Sequence, residues 1–194
     1  MYIGKIVSAS SHIDYVCQVY APGEAEAVPR PADYGFGRYV AIEAADGGTL
    51  VGLVHNTTLL NPEFGNLGPR LSPQEDLTIF APDYLSEKAT LVAIIVVGAF
   101  SPDGRAHQGV PAIAAANDAR VRALAREDVE RFHRDAGGLH VAYLSLLTGL
   151  QSPLTGALLE QTFAALSELF PDGRDRLNVL RANVAWRARI LPTA

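Results

Sequence analysis

A chain of 194 residues, 48% of them hydrophobic, is long enough to bury one good core or two small ones and is globular. Its 16 Lys+Arg against 21 Asp+Glu leave a net charge of -5, which argues against a general nucleic-acid binder, because neutralising phosphates takes a basic surface. Cys17 stands alone, which excludes an intramolecular disulfide and a Cys-based zinc cluster and makes the cytoplasm the default compartment.

The start, MYIGKIVSAS, lacks the apolar h-region of a signal peptide. Tyr2 to Ser8 reads as a short strand, Ser10-Ser11 as a turn and His12 to Tyr20 as a second strand, an opening hairpin. Ala21 to Phe36 holds Pro22, Pro29 and Pro31 with Glu24 and Glu26, a composition that blocks helix and central strand alike and predicts an exposed loop. Arg38 to Leu59 then gives the clearest pattern of the chain. Val40, Ile42 and Ala44 alternate with Tyr39, Ala41 and Glu43, Asp46-Gly47-Gly48 supplies a hairpin turn, and Thr49 to Thr57 returns as a strand. A hairpin is not stable alone, so further strands are required around it.

Asn61 to Pro73 is rich in Gly, Pro and Asn and reads as a second loop. The β signal returns at Leu77 to Ala81 and at Thr90 to Phe100. The most apolar run, Ala89 to Phe100, is about half the ~20 residues of a spanning helix and predicts a buried strand. About six short strands at this spacing predict a small barrel or sandwich.

Beyond Ser101-Pro-Asp-Gly-Arg the period changes. Val121, Leu124, Ala125, Val129 and Phe132 recur at helical spacing, which predicts a helix from Asn117 with Asn117 or Asp118 as its N-cap and Gly137-Gly138 as its end. Three more helices are expected. Leu139 to Leu150 is apolar nearly all round and belongs at the centre of the helical half. Leu154 to Phe170 and about Asp175 to Ile190 follow, with Leu177, Leu180, Val184 and Trp186 inward on the last. The fold class is α+β: a small antiparallel β-barrel of about six strands over residues 1–104, then an α-helical domain of about four helices over 105–194. Charge divides the same way, with six basic and twelve acidic residues up to His107 and ten and nine beyond it.

Motifs that would carry chemistry are mostly missing. No Walker phosphate cradle is present, Gly35-x-Gly37 lacks the third glycine of a dinucleotide fingerprint, and no G-x-S-x-G occurs. The chain is therefore expected neither to hydrolyse nor to bind ATP tightly. His133-Arg134-Asp135 echoes the protein-kinase tripeptide without its continuation. A metal-dependent hydrolase or nuclease would have to draw on His133, Asp135 and His140, with Glu130 the other nearby ligand; His133 and His140 span a predicted helix break, and no stoichiometric metal is expected. The carboxylate pairs Glu75-Asp76 and Glu127-Asp128 sit on adjacent positions, which diverge on a helix. Tyr34-Gly-Phe-Gly-Arg-Tyr-Val approaches an RNA-recognition signature, but Tyr34 stands where a base is required, so its aromatics are expected to pack. A weak single-stranded nucleic-acid binder through the barrel is the minor alternative. No catalytic, cofactor-binding or metal-ligating residue is assigned.

Tyr2-Ile-Gly-Lys-Ile-Val, then Gly37-Arg-Tyr-Val-Ala-Ile-Glu, then Leu50-Val-Gly-Leu-Val after a turn resemble the HAS-barrel, the small barrel at the N-terminus of HerA-type DNA-translocating ATPases and ATP synthase subunits. The resemblance covers residues 2 to 100. The RecA-like motor that follows in those ATPases has no counterpart, so motor activity is not implied. What the resemblance implies is a docking or ring-forming role: a non-enzymatic interaction module, homo-oligomeric or bound to a HerA-like ATPase in DNA processing. Docking is then expected through the two loops and exposed strand edges of the barrel, with the helical half outward and no membrane partner.

Overall fold

The computed structural model describes residues 1–61 and 88–190, with side chains described as far as residue 184. β1 (Tyr2–Ala9) and β2 (Asp14–Val19) form the opening hairpin, β3 (Tyr39–Glu43) and β4 (Thr49–Leu60) the central one, and β5 (Ala89–Phe100) pairs antiparallel along β4. Two short strands follow, β6 (Ala106–Gln108) and β7 (Arg120–Ala123). The order β2-β1-β7-β3-β4-β5, with β2 pairing back to β5, closes a six-stranded antiparallel barrel, and β6 extends it beside the end of β5. α1 (Arg126–Phe132), a two-residue hairpin of β8 (Arg134–Asp135) and β9 (Gly138–Leu139), α2 (Leu144–Thr148), α3 (Thr155–Leu169) and α4 (Arg174–Ile190) complete the α+β fold. Among the described residues no helix is long and apolar enough to cross a membrane.

Two cores share the barrel wall. Val40, Ile42, Leu50, Val92, Ile94, Val96 and Val121 fill the barrel interior with Ile3, Tyr15 and Cys17. The alternate residues Tyr39, Ala41, Val51, Leu53, Ile95, Val97 and Phe100 face outward, where Leu124, Phe132, Tyr143, Leu147, Leu158, Phe163 and Phe170 bury them. Period two therefore survives in β3, β4 and β5, but both faces are apolar because helices cover the outside. On the uncovered side the outward positions are polar, as with Lys5 and Gln18. At Gly98 β5 meets both β6 and the helical layer closely, since a Cβ there would lie 2.2 Å from the His107 carbonyl oxygen and 2.7 Å from the Phe132 ring.

The helix predicted from Asn117 is corrected. Residues 120–123 are β7, wedged between β1 and β3 with Val121 opposite both Gly4 and Ile42, and the helix begins only at Arg126. Val121, Leu124 and Ala125 satisfy the helical spacing, but R-V-R-A also alternates, and the open seam between β1 and β3 rewards the strand with backbone hydrogen bonds on both sides. Asp118 caps no helix. It holds φ at 61° in the turn before β7 and pairs with Lys5 at 3.1 Å. Gly137 lies in the β8–β9 turn and Gly138 opens β9, so neither ends a helix, and of Leu139 to Leu150 only Leu144–Thr148 is helical. The last two helices lie within one residue of expectation. The barrel thus recruits a strand from beyond residue 104.

Among the described residues barrel closure leaves few strand edges open. Among those residues the six strands pair on both sides over most of their shared lengths, and the outer edge of β4 beyond residue 55 has no strand partner. The expected strand Leu77–Ala81, the pair Glu75-Asp76, all but the first residue of the Asn61 to Pro73 loop, and the Trp186 side chain lie outside the described residues.

Candidate functional site

Where barrel and helices meet, three polar side chains converge. β3 aims the outward Tyr39 at the helical layer, the residue just after α1 supplies His133, and the residue ahead of α2 supplies Tyr143. The Tyr39 and Tyr143 hydroxyls are 2.6 Å apart, and His133 Nε2 lies 2.8 Å from the Tyr143 hydroxyl and 3.3 Å from that of Tyr39. His133 and Tyr143 are fully buried and Tyr39 is 5% exposed.

One proton arrangement satisfies the cluster. His133 Nδ1 stands 2.7 Å from the Val129 carbonyl oxygen, which can only accept, so Nδ1 carries the proton and Nε2 accepts. Tyr143 then donates to Nε2, and Tyr39 donates to the Tyr143 oxygen. Burial holds the imidazole down to about 4, with the Val129 hydrogen bond working against it and His140 adding to it. Burial likewise pushes both phenols up. The cluster is thus neutral at ordinary pH, and aromatic edges surround it: Phe132 and Tyr39 meet the His133 ring nearly at right angles at 5.1 and 5.2 Å.

Gln108 locks the seam from β6. Its Nε2 donates to the carbonyls of Phe132 and His140, both at 2.9 Å, and its Oε1 accepts from the Ala142 N–H at 2.7 Å. One side chain thereby ties the end of α1 and the segment entering α2 to the barrel.

The residues considered for metal chemistry do not converge. Both His133 nitrogens are occupied by Val129 and Tyr143. His140 instead pairs with Asp135, Nδ1 to Oδ2 3.3 Å, on the partly exposed β8–β9 hairpin, and Glu130 pairs with Arg126. Among the described residues no three His, Cys, Asp or Glu side chains are placed to hold a metal. Glu127 and Asp128 sit in the first turn of α1, where Asp128 pairs with Arg131 at 2.9 Å. In the Tyr34 to Val40 segment Tyr39 packs under the helical layer, Val40 lies in the barrel core with Tyr34 packed against it, and Phe36 is 37% exposed. The Cys17 thiol points into the barrel, where burial pushes it up to about 12.

A cleft of about 470 Å³ opens beside the buried cluster. The loop Gly35–Arg38, the start of α1 and the Gln161–Leu169 stretch of α3 form its walls, with Tyr39 and Leu124 at its base. Gly37 has φ of 76°, and a Cβ there would lie 2.5 Å from Gln161 Cγ, so glycine lets loop and helix meet at one end. Sequence reasoning passed over Tyr143, Gln108 and this cleft. Each is defined by the partner that folding brings to it from 24 or more residues away.

A family model described as Domain of unknown function (DUF8166) matches residues 1–193, and the chain belongs to that family. No curated protein matches the chain.

Proposed function

We propose that this protein is a non-enzymatic interaction and assembly module of the cytoplasm, which associates through its barrel with copies of itself and serves as accessory to a HerA-like DNA-translocating ATPase or its nuclease. The observation that carries this reading is the far end of β4. β3 covers β4 only as far as Leu53, whereas β4 runs on with β5 to Leu60. Over Asn56–Leu60 all five side chains are exposed, none is charged, and no strand among the described residues pairs with the outer edge. Leu59 is 75% exposed and Leu60 48%.

An uncharged, proline-free edge ending in two exposed leucines is what proteins normally guard, and strand addition by a partner is its natural cover. The buried Tyr39–Tyr143–His133 cluster supports the non-enzymatic part, because its polar atoms are spent on one another. The HAS-barrel resemblance of residues 2 to 100 supplies the class of partner. The test is a full-length L59D/L60D variant compared with wild type for association with itself and with a co-expressed HerA-like ATPase. Loss of association with unchanged melting temperature is expected; wild-type association in the variant would refute the use of this edge.

A further inference from the structure

The cleft between barrel and α3 is a second, chemically different feature. Its size suits a small ligand, and it lies at a seam between two packed layers, where such sites concentrate. Gln161, Ala165 and Leu169 follow one another at i, i+4, i+8 along one stripe of α3, so that wall runs for about 12 Å. Leu124, Val129, Ala165 and Leu166 give it an apolar lining.

Its charged groups are Arg38, Arg126 and Glu168. Among the described residues the Arg38 guanidinium has neither ion pair nor hydrogen bond, though it acts on Asp33, itself held by Arg30. Arg126 has only a loose pair with Glu130, at 3.5 Å and with the arginine 67% exposed. Glu168 makes no ion pair among the described residues. Among the described lining residues two guanidinium groups stand against one carboxylate, in a chain of net charge -5. Guanidinium groups bind carboxylates in a planar, two-pronged geometry that an ammonium cannot copy.

We propose that this cleft binds a small amphiphilic carboxylate, its head on Arg38 and Arg126 and its apolar body against α3. The site is independent of the β4 edge, so it stands or falls apart from the assembly reading.

Octanoate is the probe, titrated into the full-length protein by calorimetry and by amide shifts of the Gly35–Arg38 and Gln161–Leu169 segments. One saturable site per chain is expected, with octanol and octylammonium at least tenfold weaker. R38Q/R126Q, changed at exposed positions, is expected to melt like wild type and bind octanoate at least tenfold more weakly. E168Q, which removes a like charge, is expected to bind it more tightly. A165W, which fills the cleft, is expected to abolish binding. The proposal is overturned by no saturable binding, by octylammonium binding as well as octanoate, by R38Q/R126Q retaining wild-type affinity, or by shifts confined to the β4 edge.

Discussion

His133 makes the seam between barrel and helices sensitive to acid, and the size of the effect follows from its surroundings. The imidazole is held to about 4 in the fold against an ordinary value of 6.5. A base whose value is depressed by folding contributes stability that is complete above the unfolded value and is lost as pH falls towards the folded one. The window is therefore pH 6.5 to 4. The unfolded chain takes up the proton first, and the loss amounts to about 2 kcal/mol at pH 5 and about 3 kcal/mol at pH 4. Carboxylates such as Asp33 and Glu43, which are held low by hydrogen bonds from Arg30 and Tyr2 respectively, add a further loss at lower pH. A comparison with H133Q isolates the histidine. Urea unfolding at pH 7.5, 6, 5 and 4 should show H133Q less stable than wild type at pH 7.5, with the gap narrowing by about 2 kcal/mol by pH 5. Direct NMR titration of the His133 ring should show no protonation above pH 5. A gap that stays constant from pH 7.5 to 5, or a ring that titrates near 6.5, would refute the buried, neutral imidazole.

The proton order within the cluster predicts a graded series: Y39F, which removes only the terminal donor, should cost least, and Y143F about 1 kcal/mol, since the Tyr39 hydroxyl at 3.3 Å can take over His133 Nε2. Chemical unfolding at pH 7.5 reads the series, and a Y39F cost above that of H133Q would reverse the assigned direction. Q108L leaves two carbonyls and one N–H without their partner and should lower stability by about 2–3 kcal/mol, with faster hydrogen exchange at Ala142. G98A drives a methyl towards the Phe132 ring and the β6 backbone and should cost more than about 2 kcal/mol; a neutral result would contradict the close packing. Cys17 should react with a thiol reagent only on unfolding, because its thiol is buried and pushed up to about 12. Rapid labelling of native protein would contradict that.

The barrel was legible in the chain because its strands repeat a period of two between Gly and Pro turns. The 12-residue β5 could be little else, with β-branched residues crowded into a run too short for a membrane helix. β7 was not legible for a physical reason. In four residues, RVRA, periods of two and of 3.6 make the same demand on Val121, and the choice is settled by the hydrogen-bonding vacancy between β1 and β3, sixty or more residues away. The same distance hid the cluster. The alternation of β3 places Tyr39 opposite Val40 and Ile42, but its partners come from 94 and 104 residues downstream. His133 has the side chain of a metal ligand, whereas its aromatic neighbours and the Val129 carbonyl fix it as a neutral imidazole whose Nε2 accepts. Loop ends and short helices escaped as well: Leu144–Thr148 is only five residues long, since the apolar run around it is buried by contact rather than by helical continuity.

The central claim is association through the barrel, and light scattering of the full-length wild-type chain over a hundredfold range of concentration, alone and mixed with a co-expressed HerA-like ATPase, tests it most directly. The account predicts a mass of two or more chains that persists on dilution, or a stable complex with the ATPase, and its loss in L59D/L60D. A monomer at the highest concentration that also forms no complex would contradict it.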